Sequence, residues 1–294
     1  QKLPVFLACL LISAEVLTSP SALAGRKPKE KIDVIAMADR FTVKIKVIEA
    51  NVFEPQNSEA HGSGFIVSLE SNKGLVFTNK HVVEKGHFAA QEIKVVFNSP
   101  NEGEEPEAIK GTVVYESPIL DFAVVEFDIR KLKRVRNNLL VAPLASTEEA
   151  RALVQRGRPV TAFGHPLDGE NISTYGAITG DHLDITEGHF IQIDAPINPG
   201  NSGGPLIDLV TARVLGINSA GILSANDVGY ALPITRVLAD YQAWKNDPTH
   251  EWGRGLNPVF MLIDKKTLEL EDLYPVMATV VPDIEYKDRS LPLI

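Results

Sequence analysis

Residues 197–208 read INPGNSGGPLID: one serine, Ser202, sits among Gly200, Gly203 and Gly204, directly ahead of an apolar Pro-Leu-Ile run. Glycines let a backbone take positive φ and bring N–H groups close to a substrate oxygen, which is what an oxyanion hole beside a nucleophile needs. A serine in a glycine-rich turn is more often only a turn, so its company decides. A serine hydroxyl becomes nucleophilic at neutral pH when a base removes its proton, and the usual base is a neutral histidine oriented by a carboxylate.

Outward from this stretch, short strand patterns run in both directions. Upstream, Phe41, Val43, Ile45 and Val47 alternate with Thr42, Lys44 and Lys46, the period of two that marks a half-buried strand. GFIVSL, GLVFTN, EIKVVFN, GTVVYE and DFAVVEFD follow, parted by turn-forming clusters such as NSPNEGEEPE. A second series reads PVTAFG, GAITGD, HFIQID, GPLIDL, RVLGINS and GYALPI. It ends on ITRVLADYQAW, where Ile234, Val237, Leu238, Tyr241 and Trp244 recur at helical spacing. The pattern predicts an all-β fold: two six-stranded antiparallel β-barrels, about 41–130 and about 140–245, closed by a C-terminal helix. Between them Arg130 to Asn138 carries five basic residues and reads as a solvated linker.

Composition narrows the function. In 294 residues, 44% apolar and 23% charged, a packed core is affordable and a disordered or collagen-like chain is excluded. The net charge of -9, without a long basic block, argues against a nucleic-acid partner. A single cysteine, Cys9, excludes an intrachain disulfide framework and a cysteine-based zinc site. His182 and His189, with Asp184 between them, lack a third defined ligand, and no metal or other cofactor is expected. Residues 1–24 place Lys2 before an apolar run and end Ala22-Leu23-Ala24, the pattern of a signal peptide cut before Gly25. Membrane contact is expected only if that segment stays uncleaved. Residues 25–40 read as a flexible lead-in, with order beginning at Phe41.

Of the seven histidines, His61, His87, His182, His189 and His250 lie in polar or turn contexts, and His165 sits in the turn FGHPLDG. His81 differs: it follows the strand GLVFTNK and precedes Val82-Val83, a polar ring at the edge of an apolar segment. Asp121 opens DFAVVEF after Ile119-Leu120, where an acid is partly buried and needs a partner. The order His81, Asp121, Ser202 is the chymotrypsin order rather than that of subtilisin or the α/β-hydrolases.

These blocks together, GSGFIV…GLVFTNKHVV, DFAVVEF and FIQIDAPINPGNSGGPLIDL…VLGINSAG…VGYALPI, resemble the HtrA/Deg-type serine proteases, cysteine-poor members of the chymotrypsin-like fold, over about Phe41 to Trp244. The resemblance implies Ser202 as nucleophile, His81 as general base and Asp121 as its orienting carboxylate. It implies an oxyanion hole from the N–H groups of Gly200 and Ser202, with Asn201 shaping the turn. Residues 216–221 would pair with substrate backbone, Ser219 near Asp121, and Pro196, Ile197, Asn198, Ser219, Ala220, Gly221 and Val228 would line the cleft. The neutral Asn201 stands where digestive relatives carry the aspartate that receives a new N-terminus. Pro196 stands where enzymes cutting after Lys or Arg carry an acid, so small or medium apolar side chains are expected in the pocket. The implied function is an exported serine endopeptidase, periplasmic or secreted, acting on unfolded or misfolded proteins. The alternative is a peptide-binding chaperone or scaffold with little proteolysis. A homotrimer is implied as well. The chain departs from the family at Gly164-His165-Pro166, where Gly-Asn-Pro is usual, and in the extra residues LDGEN. Residues 246–294 read equally as a tail packed on the barrels or as the start of a PDZ domain.

Overall fold

Alternation along the chain becomes inside and outside of a barrel. In β1 (Thr42–Asn51) Val43, Ile45 and Val47 are buried while Lys44 and Lys46 stay half-exposed. The computed structural model describes residues 33–51, 58–83, 89–99, 101, 103–165, 171–185, 188–198, 200–219 and 228–247. Within them, β2 (Ser58–Glu70), β3 (Lys73–Thr78), β4 (Ala89–Phe97), β5 (Glu107–Glu116) and β6 (Ala123–Asp128) close with β1 into one antiparallel barrel, in the order β1-β2-β3-β6-β5-β4. A second closed barrel, ordered β10-β11-β12-β9-β8-β7, uses β7 (Pro159–Gly164), β8 (Ile172–Ile185), β9 (Gly188–Ile193), β10 (Pro205–Asp208), β11 (Val214–Ser219) and β12 (Gly229–Pro233). Among the described residues, each named strand pairs with a neighbour on either side to close its barrel. Every strand expected from the sequence is present.

Phenylalanines fill barrel one: Phe41, Phe65, Phe77, Phe97, Phe122 and Phe127 are all fully buried. Phe77 meets Phe122 edge-to-face with ring centres 4.8 Å apart, one of the favoured aromatic geometries. The closing helix, here α4 (Ile234–Asn246), packs on β11 and β12 of barrel two and reaches over to barrel one with its aromatic side chains. Its Tyr241 packs against Phe77 at 5.1 Å, its Trp244 stacks on Tyr115 at 5.0 Å, and the Tyr115 hydroxyl donates to buried Asp240 at 2.7 Å.

Three expectations need correction. Residues 33–40 are not a flexible lead-in: α1 (Val34–Asp39) buries Val34 and Ala38, and Asp33 caps it by accepting the Ala36 N–H at 3.0 Å. The charged residues 25–32 lie outside the described residues. The basic stretch after β6 is not a loose linker either. It folds as two 3-10 turns, Ile129–Lys131 and Arg136–Asn138, that bury Ile129, Leu132 and Val135 while the five basic side chains point to water. The Glu107 carboxylate pins it by accepting the N–H groups of Lys133 and Arg134 at 2.7 and 2.9 Å. Finally, α4 is not the one helix. Besides α1, there are α2 (Lys80–Val83) and α3 (Thr147–Leu153), the latter started by a capping box between Ser146 and Glu149.

Candidate active site

β3 ends at Thr78, and after Asn79 the chain turns into the single turn of α2, which carries His81. Asp121 lies in the bend just ahead of β6. Ser117 closes that bend: its hydroxyl accepts the N–H groups of Ile119 and Leu120 at 3.2 and 2.9 Å, and its own N–H donates to the Phe122 carbonyl at 2.8 Å. The result presents Asp121 to His81 with both carboxylate oxygens engaged. Oδ1 accepts the His81 backbone N–H at 3.0 Å, and Oδ2 receives Nδ1 of the ring at 2.8 Å. A carboxylate can only accept here, so Nδ1 carries the proton and Nε2 is left as the basic nitrogen. Asn79 ties the backbone in as well, donating from Nδ2 to the Asp121 carbonyl at 2.9 Å. Ser219, at the end of β11, reaches Asp121 Oδ2 at 3.4 Å, where the resemblance put it. The Phe77–Phe122 pair, backed by α4, lies beneath this turn and joins the strand ends that carry His81 and Asp121.

The Gly200–Gly204 turn is built from carbonyls fixed one after another. Asn201 N–H donates to Asn198 O at 3.0 Å, Gly204 N–H to Asn201 O at 3.0 Å, and Gly203 N–H to Asn218 O at 2.9 Å. A peptide plane holds its C=O and N–H antiparallel. With the Asn201 carbonyl turned to Gly204, the Ser202 N–H points to the opposite side. Gly200 and Gly203 have φ of 101° and 85°, values that side chains rarely tolerate. A Cβ on Gly203 would also stand 2.1 Å from the Ser63 carbonyl and 2.3 Å from Thr78 Oγ1. Ser202 is 7% exposed, and its carbonyl accepts the Ser63 N–H at 2.7 Å. The turn from barrel two is thereby seated against the β2–β3 wall of barrel one, next to the segment that leads to His81.

Of the expected cleft residues, Pro196 and Asn198 are exposed, and Ile197 and Val228 are half-buried against the core. A Cβ on Gly229 would come within 2.8 Å of Ile197 Cγ1, so Ile197 and the start of β12 adjoin. Asp194 turns its carboxylate away to accept the Ala177 N–H at 2.6 Å. Ala220, Gly221 and Asp227 lie outside the described residues, as do the side chains of His182 and His189. Among the described residues no group of three or more His, Cys, Asp or Glu side chains could hold a metal, and no helix is long and apolar enough to cross a membrane.

His165, just after β7, is a buried residue. It is 2% exposed at the end of β7, with Nε2 against Asn98 Oδ1 at 3.1 Å and its backbone N–H donating to Ser63 Oγ at 2.8 Å. Burial, then the charges of Lys44 and His61, push the imidazole down to about 3. A histidine whose folded value lies below the unfolded 6.5 leaves stability intact above pH 6.5 and withdraws it as pH falls toward 3, where only the unfolded chain takes the proton. Replacing His165 by Asn is expected to flatten the pH dependence of unfolding free energy by about 1.4 kcal/mol per pH unit between those limits. Urea titrations from pH 7 to pH 4 measure it, and parallel slopes in the two proteins would refute it. Ser63, Asn79, Ser117 and Asn218 carried no signal of their own in the sequence; only the block GSGFIV hinted at the first.

The family description "Trypsin-like peptidase domain" matches residues 62–217. Serine protease Do-like HtrB of Bacillus subtilis is 34% identical over 184 residues, 58% of this chain and 35% of that protein. A protein of Halomonas elongata named "Probable periplasmic serine endoprotease DegP-like" is 33% identical over 192 residues, 63% of this chain and 35% of its own length. Among solved structures, the HtrA-type protease AlgW with a tripeptide superposes with a TM-score of 0.54 at 25% identity, covering 72% of this chain and 62% of that one. The chain spans about a third of the length of these two curated relatives.

Proposed function

Because this chain belongs to the trypsin-like peptidases, in their HtrA-type branch, we propose that it is a serine endopeptidase in which Ser202, His81 and Asp121 act in the roles their geometry suits. The observation that carries the reading is the two-point grip of Asp121 on His81, at its backbone N–H and at Nδ1, which leaves Nε2 basic. Nε2 takes the proton of Ser202 Oγ as that oxygen attacks the substrate carbonyl carbon. Asp121 remains ionised and stabilises the imidazolium. The N–H groups of Gly200 and Ser202 receive the negative charge that gathers on the carbonyl oxygen. His81 then passes its proton to the leaving amine, the C–N bond breaks, and a water activated by the same nitrogen releases the acyl group from Ser202.

Substrate enters as an extended strand beside Ser219, Ala220 and Gly221, a mode of binding that reads backbone more than sequence. This suits unfolded protein chains, and AlgW's tripeptide is in keeping with it. Residues 1–24 would direct export, to the compartment named for the Halomonas relative. Residues 246–294 would form a tail or open a PDZ domain, and the assembly would be a trimer. Incubating the protein and its Ser202→Ala variant with unfolded casein tests the core of this reading. A serine-directed fluorophosphonate that fails to label wild type would turn it toward peptide binding without hydrolysis.

The pocket sets a preference. A Lys or Arg side chain buried there would lose its water and find no free acid among the described residues, an expensive placement. Pro196 has no charge to offer, Asp194 is committed to β8, and Ile197 and Val228 are apolar. Cleavage is expected after Ala, Val, Ile or Leu, at least about 10-fold faster than after Lys or Arg, since one unpaired buried charge outweighs 1.4 kcal/mol. Mass spectrometry of a peptide-library digest reads this directly. Cuts mainly after basic residues would overturn the pocket and leave the triad standing.

A further inference from the structure

Ser63 lies fully buried on β2, where barrel one faces the nucleophile turn. Its backbone N–H donates to the Ser202 carbonyl at 2.7 Å and its hydroxyl donates to the Gly200 carbonyl at 2.6 Å. The hydroxyl in turn accepts the His165 N–H at 2.8 Å, and the Ser63 carbonyl accepts from Thr78 Oγ1 at 2.7 Å. One residue thus fixes the 200–201 and 202–203 peptides, which flank the 201–202 peptide that presents the Ser202 N–H.

Gly200 is the weak point of such a site. Without a Cβ, and at φ 101°, it can rotate its flanking peptides at little steric cost. The peptide between Gly200 and Asn201 is fixed at both ends, its oxygen by the Ser63 hydroxyl and its N–H by Asn198 O at 3.0 Å. Rotation of Gly200 would strip that buried carbonyl of its donor, and a buried polar group left unpaired is costly. The hydroxyl has no slack to follow such a movement. It is anchored by His165 behind it, and a Cβ on neighbouring Gly164 would fall 2.7 Å from it and 2.9 Å from Asn201 Cα. We propose that Ser63 is a positioning residue for the oxyanion hole: it touches no substrate atom, and by holding the 200–201 and 202–203 peptides it fixes the backbone on both sides of the peptide that aims the Ser202 N–H, and next to the one that aims the Gly200 N–H. This rests on the reading of Ser202 as nucleophile given above.

Removal of the hydroxyl loosens only the oxyanion geometry, and misplacement on the scale of an ångström costs about 10²-fold. Ser63→Ala is therefore expected to lower kcat on a peptide amide about 10- to 100-fold with KM within about twofold of wild type. Affinity for a peptide boronic acid, whose tetrahedral adduct on Ser202 places an oxygen in the hole, should fall by the same factor as kcat/KM. Affinity for the matching product peptide should not change. Thermal melting checks the fold, and if Ser63→Ala does not fold, Ser63→Cys, similar in shape with a weak donor, is measured the same way. Wild-type kcat and boronate affinity in the variant overturn the proposal, and so does a loss shared equally by product-peptide binding. A wild type that hydrolyses nothing, and that Ser202→Ala leaves unchanged, would instead overturn the nucleophile assignment on which the proposal stands.

Discussion

Replacing Ser202 by alanine is expected to remove nearly all turnover, a loss on the order of 10⁶ in kcat, while the protein melts within a few degrees of wild type. Both halves follow from the turn. Alanine keeps the Cβ and the backbone, so the Ser63 N–H still meets the carbonyl of residue 202 and Gly203 still donates to Asn218. What disappears is the oxygen that forms the acyl bond, and no neighbouring group replaces it. The N–H donors survive, so the residual rate should exceed that in plain water, as binding and oxyanion stabilisation alone provide. The measurement is peptide-amide hydrolysis by a preparation purified free of other proteases, beside a melting curve. Full activity in such a preparation would show the nucleophile to lie elsewhere.

Asp121→Asn should cost about 10⁴ in kcat, and hydrogen bonding explains why an isosteric change does so much. Asp121 offers two acceptor oxygens, one to the His81 backbone N–H and one to Nδ1. Asparagine has one acceptor and one donor. The backbone N–H can only donate, so the amide oxygen stays with it and the NH₂ group turns toward the ring. Nδ1 must then accept, the ring proton moves to Nε2, and the nitrogen facing Ser202 can no longer take a proton. The fold should hold, since the shape and the Asn79 bond to the Asp121 carbonyl remain. Peptide-amide kinetics on the folded variant decide the matter: a wild-type rate removes Asp121 from the mechanism.

The strands were legible because a period of two is local. Val43, Ile45 and Val47 show their burial in the sequence itself, whichever barrel they end up closing. The order His81, Asp121, Ser202 was legible for the same reason, each residue standing beside its own strand pattern. The cap of α3 was in plain view as Ser146 and Glu149, and the acid ahead of α1 as Asp33, but helices of 7 and 6 residues are too short to show an apolar period. His165 could not have been read this way. Its partners Asn98 and Ser63, and the Lys44 and His61 charges that lower its pKa, are distant in sequence and are gathered only when the barrels meet. Ser63 was hidden for a related reason: a small polar residue between glycines looks like a turn until its partners come from another barrel.

The reach of α4 over to barrel one sets a clock on biosynthesis. Tyr241 and Trp244 brace the aromatic cluster under His81 and Asp121, yet the ribosome adds them after every residue of the triad. At about 5–20 residues per second, a few seconds separate translation of Ser202 from that of Asn246. Over that interval the nascent chain holds His81, Asp121 and Ser202 without the strut that braces the aromatic cluster beneath them. Chains stalled short of the helix should therefore resist labelling by a fluorophosphonate that modifies the released protein, and equal labelling would show the strut to be dispensable.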